Sequence, residues 1–152
     1  MIAIDTGVWI EYINTRGLLH TEAKAVVDSV NQGKITAILT PLTLTEIFYV
    51  AQRVYQEVYT QSQSEILAKK LYDFIYYHPN VEVKPLDYEL CLNAGIIKTR
   101  YNIALSDCFL LALSEQDNST IVFKNLESEM KQNKQELIKR FDIIFLEDYG
   151  IP

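Results

Sequence analysis

Four carboxylates stand where the chain changes from one kind of element to another: Asp5, Glu46, Asp107 and Glu127. Asp5 follows the apolar run Ile2-Ala3-Ile4, which reads as a strand buried on both faces because it does not alternate with polar residues. Thr6-Gly7 ends that strand and a helix opens at Val8, with the Thr6 hydroxyl as its candidate cap and Asp5 as the alternative. Glu46 falls at the start of the helix after the second strand, capped by Thr43 or Thr45, where the helix dipole favours an acid. Asp107 follows Ser106, a good N-cap, at the head of the helix Cys108–Leu113, which is apolar almost all round and so belongs in the interior. Glu127 comes just after the fourth strand, at the start of a charged helix reaching Arg140. Each acid alone is accounted for by a cap or a solvated first turn. In a parallel sheet, however, all four positions can lie at one end. Clusters of three or four carboxylates with no nitrogen or sulfur are what Mg²⁺ or Mn²⁺ require.

Rival chemistries lack their parts. His20 and His78 lie in a loop and at a helix end, and no Ser-His-Asp set or glycine-rich phosphate loop is present. A phosphatase of the haloacid dehalogenase type, with Asp5 as nucleophile, needs a second Asp two residues on, where this chain has Gly7. With 14 Lys and Arg against 20 Asp and Glu, the net charge of −6 argues against broad electrostatic binding to nucleic acid. It does not exclude a nuclease, since divalent cations among converging carboxylates invert the local field.

The elements that must position these acids follow from periodicity. Strands are expected at 2–4, 35–39, 81–83, 120–123 and 142–146, alternating with helices. That order predicts an α/β fold, a parallel or mostly parallel sheet of four to five strands with helices on both faces, in one domain over 1–152. Two helices, from about Leu44 to Val58 and from Gln63 to Tyr77, form a hairpin carrying Tyr49, Tyr55, Tyr59, Tyr72, Tyr76 and Tyr77, a composition suited to a homodimer or partner surface. In the second of these, Leu67, Leu71, Phe74 and Ile75 face inward. Cys91 and Cys108 sit among apolar helical residues and read as free thiols of a reducing compartment. With no signal-like N-terminus and no run of about 18 apolar residues, the expected location is cytoplasmic, with no membrane partner.

Three segments together resemble the PIN domain, and particularly the VapC-like toxins of prokaryotic toxin-antitoxin pairs: Ile2 to Ile10, Thr43 to Ile47, and Leu105 to Ala112. The order and spacing hold over nearly the whole chain. The resemblance implies a Mg²⁺- or Mn²⁺-dependent endoribonuclease acting on single-stranded RNA, with Asp5, Glu46 and Asp107 as metal-binding acids, Thr6 and Ser106 as polar support, and an antitoxin as partner. Two positions depart from the family pattern. Gly7 stands where a small polar residue is usual, and the Thr-x-Asp after the fourth strand reads Phe123-Lys124-Asn125, which leaves Glu127 as the nearest fourth acid. Lys98, Arg100 and Lys124 are the candidates for holding RNA. A PIN-like fold that has lost catalysis and serves as a binding module is the alternative.

Overall fold

The computed structural model describes residues 1–150. Its elements are β1 (Ile2–Ile4), α1 (Thr6–Ile13), α2 (His20–Asn31), β2 (Ala37–Leu39), α3 (Pro41–Gln56), α4 (Gln61–Tyr76), β3 (Val81–Val83), α5 (Tyr88–Tyr101), α6 (Leu105–Asp117), β4 (Thr120–Phe123), α7 (Lys134–Arg140) and β5 (Ile143–Phe145). Short 3₁₀ turns cover Lys131–Asn133 and Leu146–Tyr149. The sheet runs β3-β2-β1-β4-β5 and every pairing is parallel, Ile2 lying beside both Ala37 and Thr120.

Alternation along the strands separates two cores. Ala3, Ile38, Ile121 and Phe123 face one way and are covered by α5, α6 and α7, through Leu90, Ile97, Leu111 and Leu137. Ile4, Ala37, Leu39 and Val122 face the other way, against Trp9 of α1, Val27 of α2, Ile47 of α3 and Ile75 of α4. Both faces of the three central strands are dry, which is why these strands read as continuous apolar runs.

The strand order places a switch point between β1 and β4. From β1 the chain works outward to β2 and β3, then returns to the other side of β1 with β4 and β5. In open parallel sheets the loops diverge at such a point and leave a crevice at the carboxyl edge. Asp5 and the loop after Phe123 lie on its two sides.

Several local expectations change in the folded chain. The cap of α1 is Asp5, whose Oδ2 accepts from the Gly7 amide at 2.9 Å, so Thr6 is the first helical residue. α3 starts earlier than its threonines suggest. Thr40 caps it through the Thr43 amide at 3.3 Å with Pro41 at the first helical position, which moves Glu46 to the second turn. Ala104 rather than Ser106 is the N-cap of α6. Thr60 and Gln63 form a reciprocal capping box at the start of α4. Phe74 and Cys91 turn outward, and Val58, beyond the end of α3, is exposed. The charged helix is shorter than its periodicity suggests: Glu127 lies in an exposed turn, and regular α-helix begins only at Lys134.

Thr40 is fully buried, and its hydroxyl satisfies the first turn of the helix that carries Glu46. Thr40→Val keeps the shape and removes the cap, so urea unfolding should show a loss of about 1 kcal/mol. An unchanged midpoint would mean that Pro41 and packing alone set this helix start.

Candidate functional site

The carboxyl edge of the sheet gathers the acids for a topological reason. Asp5 is fixed by β1, its amide donating to the Val122 carbonyl at 3.0 Å. α6 runs back to the amino end of β4, so its first turn, carrying Ser106 and Asp107, lies at the carboxyl edge beside Asp5. α3 leaves the carboxyl end of β2 and brings Glu46 across. The loop after β4 closes the cleft with Glu127, Ser128 and Glu129. The result is a cleft of ≈ 270 Å³ lined also by Thr6, Gly7 and Ala104.

All four acids named from the sequence line this cleft, and so do Thr6 and Ser106. Glu129 is a fifth acid that the sequence reading passed over. The signal was its place two residues beyond Glu127, but a loop has no fixed side-chain periodicity from which to infer that both residues face the cleft. Asp107 is only 8% exposed, whereas Glu127 and Glu129 are solvent-exposed. Ser106 Oγ donates to Glu46 Oε2 at 3.1 Å, and the Tyr49 hydroxyl reaches the same oxygen at 3.4 Å. Burial, reinforced by Glu46, keeps that phenol protonated to higher pH than usual. The Thr6 hydroxyl oxygen is buried with no partner in the protein.

Burial and mutual repulsion raise the acids' affinity for protons. Asp5 is pushed from 3.8 to about 7, chiefly by desolvation, opposed by the Gly7 amide and reinforced by the charge of Glu46. Asp107 is pushed to about 8 by desolvation and then by Asp5, Glu46, Glu127 and Glu129. Among the described residues, no three His, Cys, Asp or Glu side chains are gathered tightly enough to form a ready-made metal shell.

The three basic residues named from the sequence are engaged within the protein. Lys124 Nζ is 2.8 Å from Oε2 of Glu11, a carboxylate only 2% exposed whose other oxygen accepts from the Leu19 amide at 2.8 Å. Lys98 Nζ donates to the Ile103 carbonyl at 2.6 Å, and Arg100 pairs with Glu136. The two departures in sequence also meet in space. A Cβ on Gly7 would come within 3.0 Å of both Asp5 Oδ2 and Lys124 Cβ, so the stem of Lys124 takes the room that a side chain at position 7 would need. Glu147 then pins the loop: its amide donates to the Lys124 carbonyl at 3.1 Å and its Oε1 accepts from the Leu126 amide at 2.7 Å.

The PIN domain family model matches residues 2–134, and the chain belongs to the PIN domain family. Comparison with curated protein sequences gives no match. Among solved structures, FitAcB from Neisseria gonorrhoeae superposes with a TM-score of 0.66 at 15% identity, covering 96% of this chain and 98% of that one. VapC20 of Mycobacterium tuberculosis, a toxin that cleaves the sarcin-ricin loop, gives 0.62 at 16% identity over 79% of this chain and 85% of its own. VapBC2 from Rickettsia felis, solved with a DNA fragment from its promoter, gives 0.62 at 14% identity over 95% and 98%. At these identities the likeness is one of fold. Glu147, which grips the acidic loop, lies outside the matched family segment.

Two measurements follow. A carboxyl whose pKa is raised on folding binds more protons in the folded state, so its contribution is full below about 3.8 and is lost as pH rises through the folded value. In EDTA, stability should therefore fall between pH 4 and 8, through the values of about 7 for Asp5 and about 8 for Asp107. Asp5→Asn retains a capping side chain and removes one charge, so it should match or exceed the parent at pH 8 and flatten that fall; a parallel curve would refute the charge crowding. Second, Glu147→Ala should cost about 1 kcal/mol and speed hydrogen exchange at the Leu126 amide, while Glu147→Gln keeps the acceptor and should leave that amide protected.

Proposed function

We propose that this chain is a Mg²⁺- or Mn²⁺-dependent endoribonuclease for single-stranded RNA, working in the cytoplasm as the toxin of a toxin-antitoxin pair. The observation that carries the reading is the convergence of Asp5, Glu46 and Asp107 on one cleft at the sheet's switch point, within segments covered by the PIN match. The donors suit a hard cation in type: carboxylates and hydroxyls, with no imidazole or thiolate in the cleft lining. The raised proton affinity of Asp5 and Asp107 and the unpartnered Thr6 hydroxyl also fit a site completed by a bound cation.

Asp5, Glu46, Asp107 and Glu127 would hold the cation, with the Thr6 and Ser106 hydroxyls in support. When bound, such a metal activates water and stabilises charge on a phosphodiester. The chain's own groups supply orientation. The Gly7 amide fixes one oxygen of Asp5, and the Ser106 and Tyr49 hydroxyls fix one oxygen of Glu46. Asp107, almost withdrawn from solvent and protonated near neutral pH when the site is empty, would present its charge to a bound cation where bulk water screens it little. Single-stranded RNA suits this surface because Lys98, Arg100 and Lys124 are engaged internally, so recognition must rest on more than phosphate contacts, and unpaired bases provide it.

The tyrosine-bearing hairpin of α3 and α4 is the surface we assign to self-association or to an antitoxin. Tyr76 and Tyr77 are 48% and 77% exposed, and the rings of Tyr72 and Tyr76 stack at 6.1 Å. The toxin-antitoxin complexes among the structural neighbours support a partner of that kind. A catalytically silent binding module is favoured by one observation, Asn125 at the position where the family carries Asp.

Purified protein should cut single-stranded RNA with Mn²⁺ and stop in EDTA, and Asp5→Asn should lower the rate by roughly a hundredfold or more while remaining folded. Intact RNA under both metals, with no heat of Mn²⁺ binding in calorimetry, would establish the silent module instead.

A further inference from the structure

The acid cleft adjoins a second, larger pocket. It has a volume of ≈ 450 Å³ and is walled by Pro41, Leu42, Thr45, Tyr49 and Leu105. The two cavities share Glu46, Ala104 and Ser106, so anything seated in the second is next to the acids. Tyr49 and Leu105 are 42% and 51% exposed, which leaves apolar surface open at the mouth of a polar site. The Tyr49 ring is held at two points: its hydroxyl on Glu46 Oε2 at 3.4 Å, and the Arg53 guanidinium 5.2 Å from its centroid.

We propose that this pocket is a nucleobase subsite, in which the Tyr49 ring stacks the base of the nucleotide next to the scissile phosphate. The proposal rests on the nuclease reading and supplies what that reading lacks, a source of affinity other than lysine and arginine. A flat, partly exposed aromatic ring beside a phosphate-cutting centre is how proteins hold unstacked bases. The volume falls in the range of small-molecule sites and admits a purine or a pyrimidine. Besides Glu46 and Ser106, its lining offers only the hydroxyls of Thr45 and Tyr49, and Thr45 already donates to the Pro41 carbonyl at 2.8 Å. Stacking therefore outweighs hydrogen-bond readout, and the subsite tolerates any base, with larger purines held more firmly.

The test uses a fluorescently labelled ten-nucleotide RNA and a copy lacking one base, with affinity read by anisotropy in Ca²⁺. Tyr49→Ala should weaken the intact RNA roughly tenfold, Tyr49→Phe should stay within about twofold of the parent, and the abasic copy should bind parent and Tyr49→Ala alike when the missing base is the stacked one. Scanning the abasic position along the ten nucleotides finds that base. Equal binding of intact RNA by parent and Tyr49→Ala, or no effect of removing a base at any position, overturns the subsite. So does a parent that binds no RNA, and so does a Tyr49→Ala protein that loses affinity for a protein partner alone. RNA that binds through Tyr49 but stays uncut in Mn²⁺ sinks the nuclease reading and leaves the subsite standing.

Discussion

Like charges held together at the carboxyl edge of the sheet are the constraint around which this molecule is built. Free carboxylates would separate, and Asp5 and Asp107 cannot, because one ends a buried strand and the other starts a buried helix. The two cores on either side of the sheet hold them there, and the cost appears as carboxyls that retain protons near neutral pH. A site of this kind is less stable empty than neutralised, whether by protons or by a cation.

The surroundings of the cleft show how that constraint is kept local. Glu11, which faces the interior one helix turn and a half beyond Asp5, is neutralised by Lys124 rather than left to add to the crowding. The same lysine occupies the space beside Gly7, and Glu147 ties down the backbone on both sides of Asn125. Gly7, Lys124 and the backbone around Asn125 thus form one packing arrangement. A small residue in the first turn of α1 makes room for a long one in the loop after β4, whose Glu127 and Glu129 line the cleft.

The two adjoining cavities differ in character. The acid cleft is polar and narrow, and the pocket beside it is apolar and wider, with Glu46 and Ser106 as the common wall. Lys98, Arg100 and Lys124 are already engaged within the protein, so on the proposed reading counterion release through these three would not hold RNA. On that reading, the aromatic surface of Tyr49 next to the acids would supply affinity without altering the net charge.

Much of this was legible from residue order. Apolar runs without alternation, separated by helical periodicity, specify buried parallel strands, and parallel strands bring their carboxyl ends to one edge; Asp5, Glu46 and Asp107 could be grouped on that argument before any coordinate was known. Caps were less legible, since Ser, Thr and Asp compete for neighbouring positions at little difference in energy, and the choice of Asp5 over Thr6, Thr40 over Thr43 and Ala104 over Ser106 was made by how each helix packs. Only the tertiary structure decided the loop after β4. There side-chain direction depends on contacts distant in sequence, Lys124 with Glu11 and Leu126 with Glu147, and these turn Glu129 into the cleft and take Lys124 out of the pool of RNA contacts. The pocket at Tyr49 was hidden for the same reason: its walls come from α3 and from the start of α6, about 60 residues apart in the chain, and no local pattern records that they meet.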